Sequence, residues 1–230
     1  MNMTTNQWLL LITNPIDIVG LILFVLVFPV YHVIYPFVNL IFKKQAARKR
    51  FDLFRESWIE GLIERRDIIA AAQQTRNLTM VNSVLVSSSL ILMGVVGNLL
   101  LQMPQVTDKG IALHYWAEHP DIIRVKLYLL IIVFAVAFSY FMTALRHLGH
   151  FVLVIGADPT LVKEHKGSPV KYFSSLINRA SYRYTLGVRY LHSAVALFGW
   201  LFDSYIFIII TIFFGVKFIF FQDFTHKIYK

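Results

Sequence analysis

The sequence predicts an all-α integral membrane protein with four transmembrane helices, cytoplasmic amphipathic helices and both termini outside the cytoplasm. Of the 230 residues, 57% are hydrophobic and only 15% are charged, which is too apolar for a soluble domain of this length. Crossing a bilayer takes roughly 20 mainly apolar residues. Stretches of that kind lie at about 15–42, 78–103, 127–156 and 190–221, so we treat residues 1–230 as one membrane domain.

The distribution of Lys and Arg predicts the orientation. Residues 1–42 contain neither, whereas the segments that follow the first and third spans are rich in both. Because basic residues are retained on the cytoplasmic side, these two segments are expected inside and both termini outside, in the cell membrane. The first apolar stretch is too long for the core of a signal peptide and has no basic segment before it, so we expect it to be retained as a span.

Two cytoplasmic segments have helical patterns. In residues 51–77 apolar side chains follow helical spacing and charged ones fill the other face, namely Phe51, Phe54, Trp58, Leu62 and Ile69. In the second segment Ser168 and Pro169 form a good helix start, and the helix should lead into the fourth span.

The third span ends in a polar interruption. Lys126 and Arg146 are twenty residues apart, or about 30 Å of helix, so they should lie at opposite faces of the bilayer. The apolar residues 151–156 after Arg146 are then expected to continue the helix below the membrane, covered by protein or lying in the interface. Pro159 should end this extension.

Several classes of function are excluded or disfavoured. The chain has no cysteine, which excludes disulfides, thiol catalysis, iron–sulfur clusters and cysteine zinc sites. No carboxylate pair, nucleophile–base set or metal motif is present, so we expect no catalysis, no metal and no cofactor. The net charge of +9 is explained by membrane orientation and requires no nucleic acid.

Basic and polar side chains at the predicted cytoplasmic ends of the spans form the candidate binding site. Antiparallel spans should bring them to one level: Gln74, Arg76, Asn77, Arg146, His150, Arg189 and His192. They either set the topology by bonding to lipid phosphates and helix-end carbonyls, or form a defined pocket for an anionic lipid or partner segment. A haem between His150 and His192 is disfavoured, because bis-histidine sites usually lie inside a bundle.

A transport site is the alternative. Span two carries Asn82 and Asn98 among serines and glycines, and Asp203 interrupts span four. An ionisable group inside a membrane is a functional candidate, although a structural bond from Asp203 to a neighbouring span is an equal alternative. The protein would then be a small ion or solute channel or transporter.

Four segments carry a resemblance to a known family. They are "RESW", "QQTRNLTM", "LRHLGHFVLVIG" and "YTLGVRYLHSAVALFGWLF". In this order, over roughly residues 46–205, they resemble the membrane family catalogued as domain of unknown function 599. The resemblance implies a four-span membrane protein and brings no established activity. Members tend toward Trp-x-Phe-Gly-Pro where this chain has Asp203 and Ser204. We therefore expect a non-catalytic protein, a homo-oligomer or a subunit of a membrane assembly, with lipids as partners.

Overall fold

The computed structural model describes residues 15–31, 47–108 and 120–218, and all regular structure within them is helical. The helices are α1 (Pro15–Val25, continued by a π-helical turn Leu26–Val30), α2 (Ala47–Arg65), α3 (Ile68–Asp108), α4 (Pro120–Val154), α5 (Pro159–Lys166), α6 (Pro169–Trp200) and α7 (Ser204–Val216). The predicted all-α class is confirmed.

Three long helices, α3, α4 and α6, form an antiparallel bundle. Asn82 of α3 donates a hydrogen bond from Nδ2 to the backbone carbonyl of Phe141 at 2.9 Å. The Phe141 ring fits against Gly187 of α6, where an added Cβ would lie 2.6 Å from the ring. Phe151 contacts Phe173 at one end of α4, with ring centroids 6.4 Å apart. At the other end Lys126 donates to the carbonyl of Trp200 at 2.9 Å. We refer to the two ends as the Arg146 end and the Trp200 end.

The predicted fourth span, 190–221, is wrong as a single crossing. Helix α6 ends at Trp200, and the Asp203 side chain caps a new helix by accepting from the backbone N–H groups of Tyr205 and Ile206, at 2.7 and 3.2 Å. Helix α7 then folds back along α6, since a Cβ on Gly199 would meet Ile210 and Ile206 while His192 contacts Phe214 farther down. The cause is local: an aspartate at an N-cap satisfies the free N–H groups of a helix that starts in a new direction.

Helix α1 runs parallel to α7. Gly20 lies against Phe207, and Phe28 contacts Phe214 and Phe218 further along both helices. The described chain therefore starts at the Trp200 end, and α7 leaves that end toward the other. The sequence predicted a fourth span that ends on the same side as the N-terminus, whereas α7 runs away from that side. Residues 32–42 of the predicted first span and 219–221 of the fourth lie outside the described residues.

A smaller helical layer closes the Arg146 end. Helix α2 packs on α6, where the Arg55 guanidinium donates to Asn178 and Ser181 at 2.9 Å each. The extension of α4 is covered as expected on one side, because Phe151 is fully buried against Trp58 and Phe173, while Leu153 is 83% exposed. The helix starts predicted at Ser168 and Pro169 and the stop before Pro159 are confirmed.

The outer surface of the bundle is strongly apolar. Two helical segments, Ile68–Met103 and Pro120–Val154, are long and apolar enough to cross a membrane, and the apolar helices Pro15–Val30 and Ser204–Val216 are shorter. Two of the four predicted spans, 78–103 and 127–156, thus correspond to helices that are long and apolar enough to cross a membrane, so the prediction of four such helices is wrong for the described residues. In the most apolar 18-residue stretch of each segment, only 11% and 39% of the residues, respectively, are buried. The core helices of a soluble protein would be mostly covered, because soluble proteins rarely leave so large an apolar surface exposed.

Candidate functional site

Five basic side chains from α4 and α6 gather at the Arg146 end, in a group that we call the basic rim. Its members are Arg146, His147, His150, Arg179 and Arg183. Arg146 and Arg179 are exposed, and Arg183 lies 5.7 Å from the centre of the Tyr140 ring. His150 contacts the Tyr172 hydroxyl at 3.3 Å across the same pair of helices. Arg179 and Arg183 are four residues apart on α6, and His150 lies four residues after Arg146 and three after His147 on α4, which places each set on one side of its helix.

The charges of the basic rim are not balanced locally. Arg179, Arg183, Arg146 and His150 all lie near enough to His147 to oppose a positive charge on its ring, and no carboxylate of the described residues is among the groups that act on it. Within the described part of the chain, Arg146, Arg179 and Arg183 form no ion pair. Like charges on neighbouring turns are destabilising. A bound anion would therefore reduce the repulsion between the positive charges of the basic rim.

The polar residues predicted on α3 reach the same level. Asn82 contacts Phe141, so Arg76, six residues before Asn82, lies level with residues about six after Phe141, because both helices rise roughly 1.5 Å per residue. Gln74, Arg76 and Asn77 are all exposed there. They lie at the level of the basic rim on the exposed surface of α3.

Arg189 and His192 are separated from the rim. Tyr190 stacks on Tyr140 with ring centroids 5.4 Å apart, and Tyr140 precedes Arg146 by six residues, roughly 9 Å along α4. Arg189 is buried, 7% exposed, and its guanidinium lies over Phe218. His192 contacts Lys217 and Phe214 of the returning chain. The structure thus divides the predicted site into two groups at different depths.

The transport candidates do not meet. Asn82 is buried and committed to the Phe141 carbonyl, Asn98 is exposed and pairs with Gln102, and Asp203 caps α7 from an exposed position. Gly94 and Gly97 of α3 contact no other helix, since a Cβ there would meet nothing within 4 Å. Among the described residues these side chains form no shared polar path.

A buried polar cluster at the Trp200 end was missed by the sequence reasoning. Asp17 of α1, 7% exposed, accepts from Trp200 Nε1 at 2.7 Å and from the Ser204 hydroxyl. Lys126, only 2% exposed, donates to the Trp200 carbonyl and lies 4.6 Å from the centre of its ring. This buried position differs from the place at the membrane surface that the distance between Lys126 and Arg146 predicts. A carboxylate inside an otherwise apolar stretch was the available signal for Asp17.

A shallow cavity of about 340 Å³ lies between the α2–α3 turn and the α4–α5 turn, with Arg66, Asp67 and Asp158 at its polar edge. Both carboxylates are occupied as helix caps. Asp67 accepts from the Ala70 N–H, and Asp158 accepts from the N–H and hydroxyl of Thr160. The hydrogen bonds from Thr160 hold the pKa of Asp158 below its ordinary value. The described residues contain no group of three His, Asp or Glu that could hold a metal ion.

Comparison with known proteins identifies one family. A family model described as "Protein of unknown function, DUF599" matches residues 19–228. No curated protein and no solved structure matches the chain. The family match covers all the helices of the bundle and brings no activity with it.

Proposed function

The chain belongs to DUF599, a family of proteins of unknown function, and we propose that it is a non-catalytic, multi-pass membrane protein that binds the anionic phosphates of cytoplasmic-leaflet lipids at its basic rim. The observation that carries the proposal is the rim itself, in which Arg146, Arg179 and Arg183 lie near His147 and no carboxylate among the described residues compensates them. Arginine is suited to this ligand, because its planar guanidinium donates two parallel hydrogen bonds to phosphate oxygens.

The depth of the rim supports a lipid ligand. Lys126 and Arg146 are twenty residues apart on the continuous helix α4, about 30 Å, which equals the thickness of the hydrocarbon layer. With the Trp200 end at one face of the membrane, the rim lies at the headgroups of the other. Basic residues at that level attract anionic lipids.

Because α7 folds back along α6, the topology that we propose differs from the one predicted from the sequence. Helices α1, α3, α4, α6 and α7 alternate in direction between the two ends, with α1 and α7 shorter than a full span. If the rim is cytoplasmic, the N-terminus is outside and the chain after α7 heads inward. The sequence after α7 carries Lys227 and Lys230, and the retention of basic residues on the cytoplasmic side supports this direction.

The proposed topology can be tested with single cysteines, since the chain has none of its own. Thr4→Cys should react with a membrane-impermeant maleimide in intact cells, and His226→Cys only after the cells are permeabilised. Equal labelling of both variants in intact cells would restore the topology with both termini outside.

Lipid binding is tested by native mass spectrometry from a gentle detergent. The double variant Arg146→Gln/Arg179→Gln should lose co-purifying anionic lipid several-fold. The matched control is Lys163→Gln/Lys166→Gln, which removes the same charge from exposed positions of α5 and should retain the lipid. Equal loss in both variants would show that only total charge matters, and retention in both would refute a site at the rim. The same spectra report copy number, which tests the expected homo-oligomer or assembly with a partner subunit.

A further inference from the structure

The basic rim has a half-buried centre and exposed edges. His147 of α4 and Arg183 of α6 are half-buried, whereas Arg146 and Arg179 are exposed. The Arg183 guanidinium lies 5.7 Å from the centre of the Tyr140 ring, and that ring is itself stacked on a tyrosine of α6. Arg183 is therefore held in position by the protein, which reduces the side-chain entropy that it loses when a ligand binds.

The permanent charge of the basic rim comes from its three arginines. His147 adds none near neutral pH, because burial and the nearby charges of Arg179 and Arg183 hold the pKa of its ring below the ordinary value. A neutral imidazole still donates one hydrogen bond from a ring N–H. The rim thus offers three guanidinium groups and an uncharged donor ring within a single cluster.

Two chemical classes of lipid phosphate differ in what they offer to such a cluster. A phosphodiester is linked on both sides, so it has two terminal oxygens and one negative charge. A phosphomonoester has three terminal oxygens and roughly −1.5 to −2 elementary charges at pH 7. Because each guanidinium donates two parallel bonds to phosphate oxygens, three arginines can use every terminal oxygen of a monoester, whereas a diester has too few for all three.

The surface of α4 beside the basic rim suits the acyl chains of a lipid. Met142, four residues before Arg146, is 44% exposed, and Leu153, seven residues after it, is 83% exposed. Residues at these spacings share one face of a helix. Gly149 lies on the same face, and a Cβ there would meet nothing within 4 Å. A lipid with its phosphate on the rim therefore has open space beside Arg146 and an apolar surface at Met142 for its chains.

We propose that the basic rim selects a terminal phosphomonoester, carried by a lipid headgroup, over a phosphodiester. This inference rests on the lipid binding proposed above and specifies its ligand. Arg146 and Arg179 bind the phosphate from α4 and α6, and Arg183 binds it from the half-buried centre of the rim. Soluble phosphomonoesters carry the same terminal phosphate, so an experiment has to distinguish the two sources.

The experiment titrates the delipidated full-length protein in detergent with an equimolar mixture of phosphatidic acid, a monoester, and phosphatidylglycerol, a diester, with identical acyl chains. Native mass spectrometry counts each bound lipid. The first lipid bound should be phosphatidic acid by about ten-fold, the factor that one additional charge-assisted hydrogen bond supplies. Glycerol 3-phosphate at constant ionic strength is the soluble monoester and should not displace the lipid at comparable concentration. Displacement would keep the phosphomonoester and overturn the lipid as its source.

Arg146→Lys/Arg179→Lys keeps both charges and removes the planar donor pairs, so this variant should bind the two lipids in nearly equal amounts. The matched control is Lys163→Arg/Lys166→Arg, the reverse exchange at exposed positions of α5, which should retain the preference.

Three outcomes would contradict the reasoning in different ways. Equal binding of both lipids to the wild type, lost in Arg146→Gln/Arg179→Gln, would overturn the phosphomonoester preference and leave the proposed lipid binding intact. No anionic lipid on the wild type would overturn both. A preference that persists in Arg146→Lys/Arg179→Lys would overturn the selection by arginine.

Discussion

Gly187 allows a close approach between α4 and α6, and replacing it with alanine should separate these helices. A Cβ at this position would lie 2.6, 2.7 and 2.9 Å from three carbons of the Phe141 ring, about 1 Å less than the optimum of ~3.5–4.0 Å. The ring cannot move aside easily, because Phe141 is fully buried and its carbonyl is bonded to Asn82.

Two opposing terms determine the size of the effect. Overpacking of this kind costs about 1–3 kcal/mol, while alanine is favoured over glycine inside a helix by about 1 kcal/mol. Gly187→Ala should therefore lower the free energy of unfolding by about 1 kcal/mol. Gly94→Ala is the matched control, because its Cβ would meet nothing within 4 Å, and only the favourable helix term remains. The difference between the two variants cancels that term and should be about 1–3 kcal/mol.

The assay is unfolding in mixed detergent, followed by circular dichroism for both variants. Replacing the Phe141 ring with the smaller leucine side chain in the Gly187→Ala variant should restore part of the lost free energy of unfolding. Equal stabilisation by Gly187→Ala and Gly94→Ala would mean that the α4–α6 contact is not as close as described.

Substitutions at two positions, Asp17 and Asp203, test the Trp200 end by the same unfolding assay. Asp17→Ala leaves the Trp200 indole N–H without its acceptor and should lower the free energy of unfolding by about 1–3 kcal/mol. Asp17→Asn keeps an acceptor oxygen and should lower it less. Equal stability of the two variants would argue against the buried hydrogen bond. Asp203→Ala removes the N-cap of α7 and should cost about 1 kcal/mol, while Asp203→Asn should be nearly neutral because asparagine caps equally well. Loss of ion flux in liposomes with Asp203→Asn, at unchanged stability, would instead favour the transport alternative.

Much of the fold could be predicted from the sequence. Continuous apolar runs predicted the two long apolar helices α3 and α4, and Ser168, Pro159 and Pro169 marked helix ends by rules that depend only on local backbone hydrogen bonding. The chain reversal after Trp200 was missed because apolar residues continue on both sides of it. Asp203 was interpreted as an intramembrane charge, although aspartate is also among the best N-cap residues.

The candidate site was less predictable because it depends on helix register. Arg146 and His150 were assigned to the level that they occupy, but Arg189 was assumed to open a span, and it lies deep in a helix that starts at Pro169. Arg179 and Arg183 are not among the predicted site residues, because their place near Arg146 depends on how α6 packs against α4. The distances of the α6 residues from the two ends of the bundle follow only from the contacts of α6 with α4.

The pairing of Asp17 with Trp200 and Ser204 has a consequence for biosynthesis. These contacts join residues 183 and 187 positions apart. At about 5–20 residues per second, a ribosome needs on the order of 10–40 s to make the intervening chain. During that time the first helix has left the ribosome and its partner has not been synthesised. The unpaired Asp17 carboxylate must be sheltered by water, lipid headgroups or the insertion machinery until the last helix arrives, so a chain truncated before Trp200 should be recognised and degraded.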